Sequence, residues 1–526
     1  MLLETCLKQH TRDLDKALPP AETVKRVKEI LSGSGTAILR QTRRIDTGRL
    51  GIPVYISVCG PEAREVMPTR KQMGKGASPE QAEASALMEL VERYSLFSYF
   101  QRMNSSQYLT WSKAKQQYGS RLIPVSEILH STQESLSRDQ AVQILDLTGW
   151  HFCPALRIDR EQEVLVPLNW FKSLNEFNGS SAGNTSVESI LQGGCELVER
   201  HVCAEIERSQ PVLPSIDPGT VQDPVLQDLL HRFARNGIKF LLKDFSLDLG
   251  VPTVGALAFD PETFPDQSEI VFTAGTASEP DKAAIRALTE IAQLAGDFET
   301  RSRYEPSGLS KYTSTHEFAW LEEGPLVPLD SLPDIGNPDL LKELKTLALE
   351  LEQRGFSLYS IDTAHPDLGL AANYNFVPGF GFRERTEYGS LGLFTGRILA
   401  EQASPAEAQR GFRLLDRIYP ENHFVPFFRG LVSLRREEIP EALDHFSRAE
   451  QLQPSAEDRS LVAFYQGYAL TRVQEWTTAV SHLDRAVRLA PDSHAGHNLL
   501  GVAHYKLGDY EKAARNFHRA IDIDKG

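Results

Sequence analysis

The sequence has no apolar run long enough to cross a membrane, and it lacks the apolar core of a secretion signal near its first residue. Charged residues lie close together in that segment instead, namely Glu4, Lys8, Arg12 and Asp13. These absences predict a protein that makes no membrane contact and works in the cytoplasm.

Basic residues are also in short supply. Lys and Arg together number 56 against 71 Asp and Glu, which gives a formal net charge of −15. A protein that binds the phosphate backbone of nucleic acids needs a basic stripe. The composition therefore indicates that nucleic acid is not a partner.

Cysteine is scarce as well, and the cysteines show no paired metal-ligand spacing; they are Cys6, Cys59, Cys153, Cys195 and Cys203. The sequence also has no zinc signature. We therefore expect buried thiols rather than catalytic, redox-active or zinc-binding cysteines.

The feature that stands out is a pentapeptide, Glu-Leu-Val-Glu-Arg, which occurs at Glu89–Arg93 and again at Glu196–Arg200. On a helix, its first, fourth and fifth residues share one side, so each copy presents two carboxylates and a guanidinium together. A site built from both copies would contain four carboxylates and two arginines. That much acid next to phosphate requires divalent cations, so Mg-nucleotide is the first ligand to consider.

Each copy follows a glycine-rich entry into a helix. Gly74-Lys75-Gly76 precedes the first predicted helix, over 79–100, whose cavity side would carry Ser85, Glu89, Glu92 and Arg93. The turn-rich segment 178–184 precedes the second helix, for which Thr185 or Ser186 could supply the N-cap. One side of that helix and its entry would carry Asn184, Glu188, Glu196, Glu199 and Arg200.

A third predicted helix, over 280–295, places Arg286 and Glu290 four residues apart. Alone, such a pair is usually a solvated surface contact. The two acidic helices favour a functional interpretation of this third helix.

These motifs, in this order and spacing, resemble the signatures of the YcaO superfamily over roughly the first 395 residues. The resemblance implies an ATP site without a Walker loop, in which carboxylates bind Mg ions that bridge the nucleotide phosphates. It also implies a basic residue and a small hydroxyl residue near the N-terminus, close to the nucleotide. Carried over, the ATP and phosphate residues are Lys16, Thr23, Ser85, Arg93, Asn184, Arg200, Arg286 and Glu290. The implied Mg ligands are Glu89, Glu92, Glu188, Glu196 and Glu199. Ser181 and His201 depart from the family pattern, and neither replaces an implied ligand.

Between the second motif and residue 395, helical and apolar segments alternate in two similar units. One runs from Asp228 to a strand ending near Asp244, and the other runs from Asp339 to a strand ending near Asp362. We therefore predict an α+β fold, a mixed α/β core of pseudo-duplicated helix–strand units in residues 1–395, with the helices on a mixed sheet.

Residues 404–526 change character. Gly430, Gly467 and Gly501 are each followed after twelve residues by alanine and after sixteen by a large apolar residue. The spacing is close to that of tetratricopeptide repeats, so we predict an all-α repeat domain of about three helical hairpins. Such a domain serves either as a contact surface for another protein or as a capping or dimerisation element.

The chemistry that the resemblance implies is ATP-dependent activation of a backbone amide in a peptide or protein. External sulfide as the nucleophile gives a thioamide, and a Cys, Ser or Thr side chain gives an azoline. Azoline-forming members often have a proline-rich C-terminus, whereas this sequence ends in Asp-Ile-Asp-Lys-Gly, so we favour thioamide formation. A separate partner, such as a TfuA-like protein, could deliver sulfur or present the substrate, and we expect a homodimer. The alternatives are an azoline-forming cyclodehydratase and a nucleotide-binding scaffold, such as an accessory factor in ribosomal protein methylthiolation.

Overall fold

The computed structural model of the chain describes residues 2–33, 37–46, 49–103, 108–265, 268–295, 312–383 and 389–525. The helices are α1 Pro20–Leu31, α2 Pro61–Val66, α3 Pro79–Met103, α4 Trp111–Tyr118, α5 Val125–Thr132, α6 Arg138–Leu145, α7 Leu168–Asn175, α8 Ser186–Ser209, α9 Pro224–Arg235, α10 Pro280–Ala295, α11 Leu340–Gln353, α12 Leu391–Gln402, α13 Pro405–Ile418, α14 Phe424–Arg435, α15 Ile439–Leu452, α16 Ala456–Arg472, α17 Trp476–Leu489, α18 His494–Lys506 and α19 Tyr510–Lys525. The strands are β1 Leu39–Arg44, β2 Val54–Cys59, β3 Lys71–Lys75, β4 Tyr108–Leu109, β5 Trp150–Arg157, β6 Gln162–Pro167, β7 Ser180–Gly183, β8 Ser215–Ile216, β9 Lys239–Asp244, β10 Thr253–Phe259, β11 Val271–Thr276, β12 Leu326–Val327, β13 Tyr359–Asp362 and β14 Ala371–Phe376.

The chain divides into two compact units. The first comprises residues 1–108, 118–131 and 151–385, and the second comprises residues 109–117, 132–150 and 386–526. The domain limits predicted from the sequence, 1–395 and 404–526, stay a prediction. No helix within the described residues combines the length and apolar character that a membrane span requires.

Strands of the first unit form separate sheets, and one of these is mixed, as predicted. One sheet has the order β1-β2-β3, a second has the order β11-β10-β9-β8-β12, and a third is centred on β5-β13-β14-β7, with β6 paired to β5. Both β9-β10 and β13-β14 are antiparallel, and β8-β12 is parallel. Helices α9 and α11 each lead into two antiparallel strands joined by a short connection, and such a pair does not need the long crossover that joins parallel strands.

The pseudo-duplication predicted from the sequence is present in the fold. Helix α9 leads into β9 and β10, and helix α11 leads into β13 and β14. Each helix is followed by a glycine with positive φ, Gly237 at 72° and Gly355 at 84°, which ends the helix without steric cost. The mixed α/β core is therefore confirmed.

The long helices α3 and α8 carry the two pentapeptides. Thr185 caps α8, because its side chain accepts a hydrogen bond from the Glu188 N–H at 3.1 Å. Helix α3 packs on β2 and β3, α8 packs on β7 and β14, and α10 packs on β10 and β11. Each helix thus buries an apolar side against strands and leaves its acidic side for the site described below.

The second unit contains the helical hairpins α14–α15, α16–α17 and α18–α19. The predicted small residues lie where paired helices cross. A Cβ atom on Gly430 would lie 2.4 Å from the Phe446 ring, and one on Gly467 would lie 2.5 Å from the Leu483 side chain. Glycine therefore permits the close helix approach on which the repeat packing depends.

Candidate functional site

Helices α3, α8 and α10 and the segment before α1 enclose one cavity of about 320 Å³. Every site residue predicted from the sequence lines it: Lys16, Thr23, Ser85, Glu89, Glu92, Arg93, Asn184, Glu188, Glu196, Glu199, Arg200, Arg286 and Glu290. The structure therefore brings together residues from four separate segments of the chain. Their assignment as ATP and Mg ligands stays a prediction.

Close packing between β3 and α3 shapes one wall of the cavity. A Cβ atom on Gly74 would lie 2.0 Å from the Ala86 backbone nitrogen, and one on Gly76 would lie 2.8 Å from the Ala82 nitrogen. The two glycines allow the strand to touch the helix backbone. Lys75, between them, lies at the cavity wall together with Glu89 of α3.

Each basic side chain that lines the cavity is paired with a glutamate. The pairs are Lys16–Glu188 at 3.9 Å, Arg93–Glu92 at 3.4 Å, Arg200–Glu196 at 2.9 Å, Arg286–Glu199 at 3.9 Å, and Lys75–Glu290. Within the described chain, Glu89 is the one cavity glutamate with no cation in ion-pair contact; its carboxylate accepts a hydrogen bond from the Met73 N–H. The cavity therefore contains six carboxylates against five cations.

Burial changes the proton affinity of several of these groups. It raises the pKa of Glu89, Glu92 and Glu199 above the usual value; nearby arginines oppose the change, and neighbouring glutamates add to it. Burial, with a contribution from Arg286, lowers the pKa of Lys75 to about 8. An added cation would favour the charged forms of these buried glutamates.

The N-terminal residues predicted from a short spacing match are part of the same network. The Thr23 hydroxyl donates to Asn184 Oδ1 at 3.0 Å, and Asn184 Nδ2 donates to Glu188 Oε1 at 3.1 Å. The Ala17 N–H donates to the other Glu188 oxygen at 2.8 Å. Glu188 therefore connects the N-terminal segment to α8.

Sequence reasoning missed three residues that belong to the site. Lys75 forms an ion pair with Glu290, Arg286 Nη1 donates to Gln192 Oε1 at 2.8 Å, and the Ser180 hydroxyl donates to Glu92 Oε1 at 2.6 Å. Gln192 could have been found, because it lies one helical turn from both Glu188 and Glu196 on α8.

The two residues that depart from the family pattern lie outside the cavity lining. Ser181 is buried and accepts a hydrogen bond from Asn375 Nδ2 at 2.9 Å. His201 stacks on the Phe380 ring with a centroid distance of 4.2 Å, and its Nδ1 accepts the Gly381 N–H at 3.1 Å. Burial lowers the pKa of His201, so this side chain is a neutral packing residue.

The donor set of the cavity fits Mg²⁺ bound together with a nucleotide. Mg²⁺ commonly takes one or two carboxylates and fills its other positions with water and phosphate oxygens. The described cavity carboxylates match this habit, because no three of them lie within 4.8 Å of one another. One or two of Glu89, Glu92, Glu196 and Glu199 could bind each Mg²⁺ ion. The lysine and arginine side chains now paired with glutamates would then be available to bind phosphate.

A sequence model described as YcaO cyclodehydratase, binding ATP and Mg²⁺, matches residues 73–381, and a tetratricopeptide repeat model matches residues 466–526. An uncharacterized Methanothermobacter thermautotrophicus protein is 28% identical over 392 residues, covering 69% of this chain and 94% of that protein. A Rhizobium leguminosarum protein, named for its place in the tfuA 3′ region, is 27% identical and covers 53% of this chain and 66% of that protein. The Escherichia coli protein named ribosomal protein S12 methylthiotransferase accessory factor YcaO is 24% identical and covers 58% of this chain and 56% of that protein.

Solved structures share the fold. YcaO from Methanopyrus kandleri, bound with AMPPCP and Mg²⁺, superposes with a TM-score of 0.52 at 22% identity, covering 73% of this chain and 95% of that one. A heterocyclase in complex with substrate and cofactor superposes with a TM-score of 0.55 at 20% identity, covering 73% of this chain and 54% of that one. The chain belongs to the YcaO family of ATP- and Mg²⁺-binding, amide-activating enzymes, and it carries tetratricopeptide repeats after the YcaO domain.

Proposed function

We propose that this protein uses Mg-ATP to activate a backbone amide of a peptide or protein, and that external sulfide converts the amide to a thioamide. The observation that carries the proposal is the convergence of both Glu-Leu-Val-Glu-Arg helices on one cavity, where the structure pairs each cation with its own glutamate. Such a cavity suits a ligand that brings anionic phosphates and divalent cations together.

The reaction balances with sulfide as the co-substrate. The sulfur atom forms a bond to the amide carbon, and the resulting oxyanion attacks the terminal phosphorus of ATP, whose bond to the ADP oxygen breaks. The phosphorylated oxygen then leaves as phosphate when its bond to carbon breaks. Loss of the sulfur proton completes the thioamide, and the net products are thioamide, ADP and phosphate.

Residues of this chain would act mainly through charge and position. The guanidinium groups of Arg93, Arg200 and Arg286 lie on three helices around the same volume, so they could stabilise the charge that spreads over a transferring phosphoryl group. Bound Mg²⁺ would neutralise the phosphates and the glutamates at the same time. Ser85 and Asn184 offer uncharged hydrogen-bonding groups at the same cavity.

The choice of sulfide over a side-chain nucleophile is supported by one relative. The Rhizobium protein is named for its position beside tfuA, and a TfuA-like protein is the sulfur-delivery partner that we expect. The azoline-forming alternative uses the same phosphoryl transfer and differs only in the nucleophile. The mass of the product separates the two reactions.

The test is phosphate release by the full chain with ATP, Mg²⁺, sulfide and a pool of peptides from cell extract, followed by mass spectrometry of the peptides. We expect release that depends on both sulfide and peptide, with peptides that carry the mass change of oxygen-to-sulfur exchange. The Glu196→Gln variant should lose this activity. The Glu205→Gln variant is a matched control on the same helix, because Glu205 pairs with Arg208 outside the cavity. Peptides that have lost the mass of water would instead indicate that the enzyme forms azolines and not thioamides.

A second candidate is an accessory role in ribosomal protein methylthiolation, which the name of the E. coli relative favours. In that case the repeat unit would bind a partner protein, and nucleotide binding would control the contact. Mass spectrometry of ribosomal proteins from cells with and without the chain separates this candidate from peptide modification. A change confined to a methylthio group would favour the accessory role.

A further inference from the structure

Residues 6–17, which we call the N-terminal strap, cross the first unit without helical structure and reach the cavity through Leu14 and Lys16. Several contacts bind the strap to the core beyond the cavity. The Cys6 N–H donates to Asp339 Oδ1 at 2.9 Å, and the Lys8 N–H donates to the Pro338 carbonyl at 3.0 Å. The strap therefore links the start of α11 to the cavity.

Lys8 of the strap forms ion pairs with three carboxylates. Its ammonium lies 2.7 Å from Asp15, 3.0 Å from Glu279 and 2.6 Å from Glu343, and only 6% of its side chain is exposed. The oxygens of these three acids approach one another within 4.8 Å, as the ligands of a metal ion would. The Lys8 ammonium contacts all three acids, so it takes the place that a metal ion would occupy among them.

The acids around Lys8 belong to different parts of the fold. Asp15 is on the strap, Glu279 directly precedes α10, and Glu343 is on α11 with a fully buried side chain. One ammonium therefore joins the strap to two core elements. Buried charge-assisted contacts of this kind are strong and directional, so they fix the position of the groups that they join.

The joined segment leads directly to the nucleotide cavity. Asp15 is followed by Lys16, whose Nζ lies 3.9 Å from Glu188 Oε1, and by Ala17, whose N–H donates to Glu188 Oε2 at 2.8 Å. The strap is also closed on itself, because Lys16 N–H donates to the His10 carbonyl at 2.9 Å and Gln9 N–H donates to the Lys16 carbonyl at 2.9 Å. A displacement of Lys8 would therefore move the backbone that carries Lys16.

We propose that Lys8 is a positioning residue for nucleotide binding: through Asp15 it fixes the strap in the geometry that presents Lys16 and the Ala17 N–H to Glu188. This inference rests on the proposed use of Mg-ATP at the cavity. Lys8 itself is not among the residues that line the cavity, so its effect is on the affinity for nucleotide and not on the chemical step.

The test is calorimetric binding of Mg-ATP to the full chain, combined with the kinetics of phosphate release. We expect Lys8→Met to weaken Mg-ATP binding and raise the KM for ATP by about tenfold or more, with kcat at saturating ATP within about twofold of wild type. Lys243→Met is the matched control. Lys243 is also a buried lysine, and its ammonium binds Ser215 and the Glu323 carbonyl away from the cavity. It should lower the stability and leave Mg-ATP affinity unchanged.

Asp15→Ala provides a milder second variant, since Lys8 keeps Glu279 and Glu343 when Asp15 is removed. It should also weaken Mg-ATP binding, and it provides the test if the Lys8→Met chain does not fold. In a Lys16→Met background, Lys8→Met should weaken Mg-ATP binding by less than it does in the wild type, because only the Ala17 N–H is left to position.

The results separate the two proposals. Wild-type affinity for Mg-ATP in both Lys8→Met and Asp15→Ala would overturn the role of Lys8 and leave the proposed function standing. Independent, additive effects of Lys8→Met and Lys16→Met would overturn it as well. Absence of Mg-ATP binding by the wild-type chain would overturn the proposed function itself, and the role of Lys8 with it.

Discussion

Arg286 and Glu199 meet across the cavity, with Nη2 of the arginine 3.9 Å from Oε2 of the glutamate. The other arm of the guanidinium, Nη1, donates to Gln192 Oε1 at 2.8 Å. Both partners are on α8, so a single arginine of α10 contacts two residues that lie about two turns apart on the acidic helix. This contact makes the third predicted helix part of the same site as the second pentapeptide.

Replacing Arg286 by lysine should therefore impair nucleotide use although the charge is kept. A lysine has one ammonium and cannot reach both Gln192 and Glu199 as the planar guanidinium does. We expect kcat/KM for ATP to fall by about 10- to 100-fold in phosphate-release assays, which corresponds to roughly 1.4–2.7 kcal/mol. Arg397→Lys, at an exposed pair with Glu401, should have no effect. An unchanged kcat/KM for ATP in Arg286→Lys would show that the two contacts of the guanidinium are not needed for nucleotide use.

Glu199→Gln should change the dependence on Mg²⁺. Besides its pair with Arg286, Glu199 accepts the Thr276 N–H at 3.0 Å, so the glutamine can keep this hydrogen bond while losing the charge. We expect the Mg²⁺ concentration for half-maximal activity to rise by about 10- to 100-fold, the range typical of damaged metal sites. Glu205→Gln on the same helix should keep the wild-type titration. Identical Mg²⁺ titrations for Glu199→Gln and the wild type would contradict a metal-binding role.

Gly74→Ala should disturb both stability and nucleotide binding. The added methyl group would lie 2.0 Å from the Ala86 nitrogen and 2.5 Å from the Ala82 carbonyl oxygen, which are backbone atoms that cannot rotate away. Overpacking of this kind costs about 1–3 kcal/mol in the free energy of unfolding, measured by denaturant titration. Strand β3 would move away from α3 with Lys75, so Mg-ATP affinity should fall too. Gly381→Ala, whose methyl group meets its nearest atom at 3.6 Å, is the tolerated counterpart.

The ion pair between Arg49 and Asp260 predicts a pH dependence of stability that is independent of the cavity. Burial alone would raise the pKa of Asp260, but hydrogen bonds from Arg49 at 2.6 Å, the Glu262 N–H and the Thr263 hydroxyl outweigh it and lower the pKa. A carboxyl group with a lowered folded-state pKa stabilises the fold above its unfolded pKa of about 3.9 and loses that contribution as the pH falls through the folded value.

Asp260→Asn should therefore lower the free energy of unfolding by roughly 1–3 kcal/mol at neutral pH. The difference from the wild type should shrink as the pH falls below about 3.9, because the unfolded wild-type chain then binds a proton at Asp260 that the folded chain binds only at lower pH. Denaturant titrations at several pH values measure it. A difference that stays constant down to pH values near 2 would contradict the pKa assignment.

Much of the site could be predicted because its residues repeat along helices. The helix predicted over 280–295 is α10, the one predicted over 79–100 extends three residues further, and Thr185 is the N-cap of α8. Helical spacing alone places Glu89, Glu92 and Arg93 on one side of α3, so their common cavity follows once the helices pack.

The contacts that escaped prediction are those between segments far apart in the sequence. The Gly-Lys-Gly motif draws attention to Lys75 on β3. Its partner Glu290 is on α10, however, and no rule of sequence spacing predicts that the two side chains meet. The same holds for Lys8 and Glu343, and for the division of the strands into separate sheets. These features depend on which surfaces meet in three dimensions, and local periodicity does not specify that.

The pairing of each cavity cation with a glutamate also bears on which form of nucleotide the protein can accept. A nucleotide without its metal would arrive with four negative charges at a cavity whose cations are already neutralised and whose sixth carboxylate, Glu89, repels it. The metal-bound form would instead supply Mg²⁺ as a partner for the glutamates while the phosphates bind the cavity lysines and arginines. We therefore expect the resting protein to discriminate against metal-free nucleotide before any chemistry begins, through the pairing of its cavity cations with glutamates.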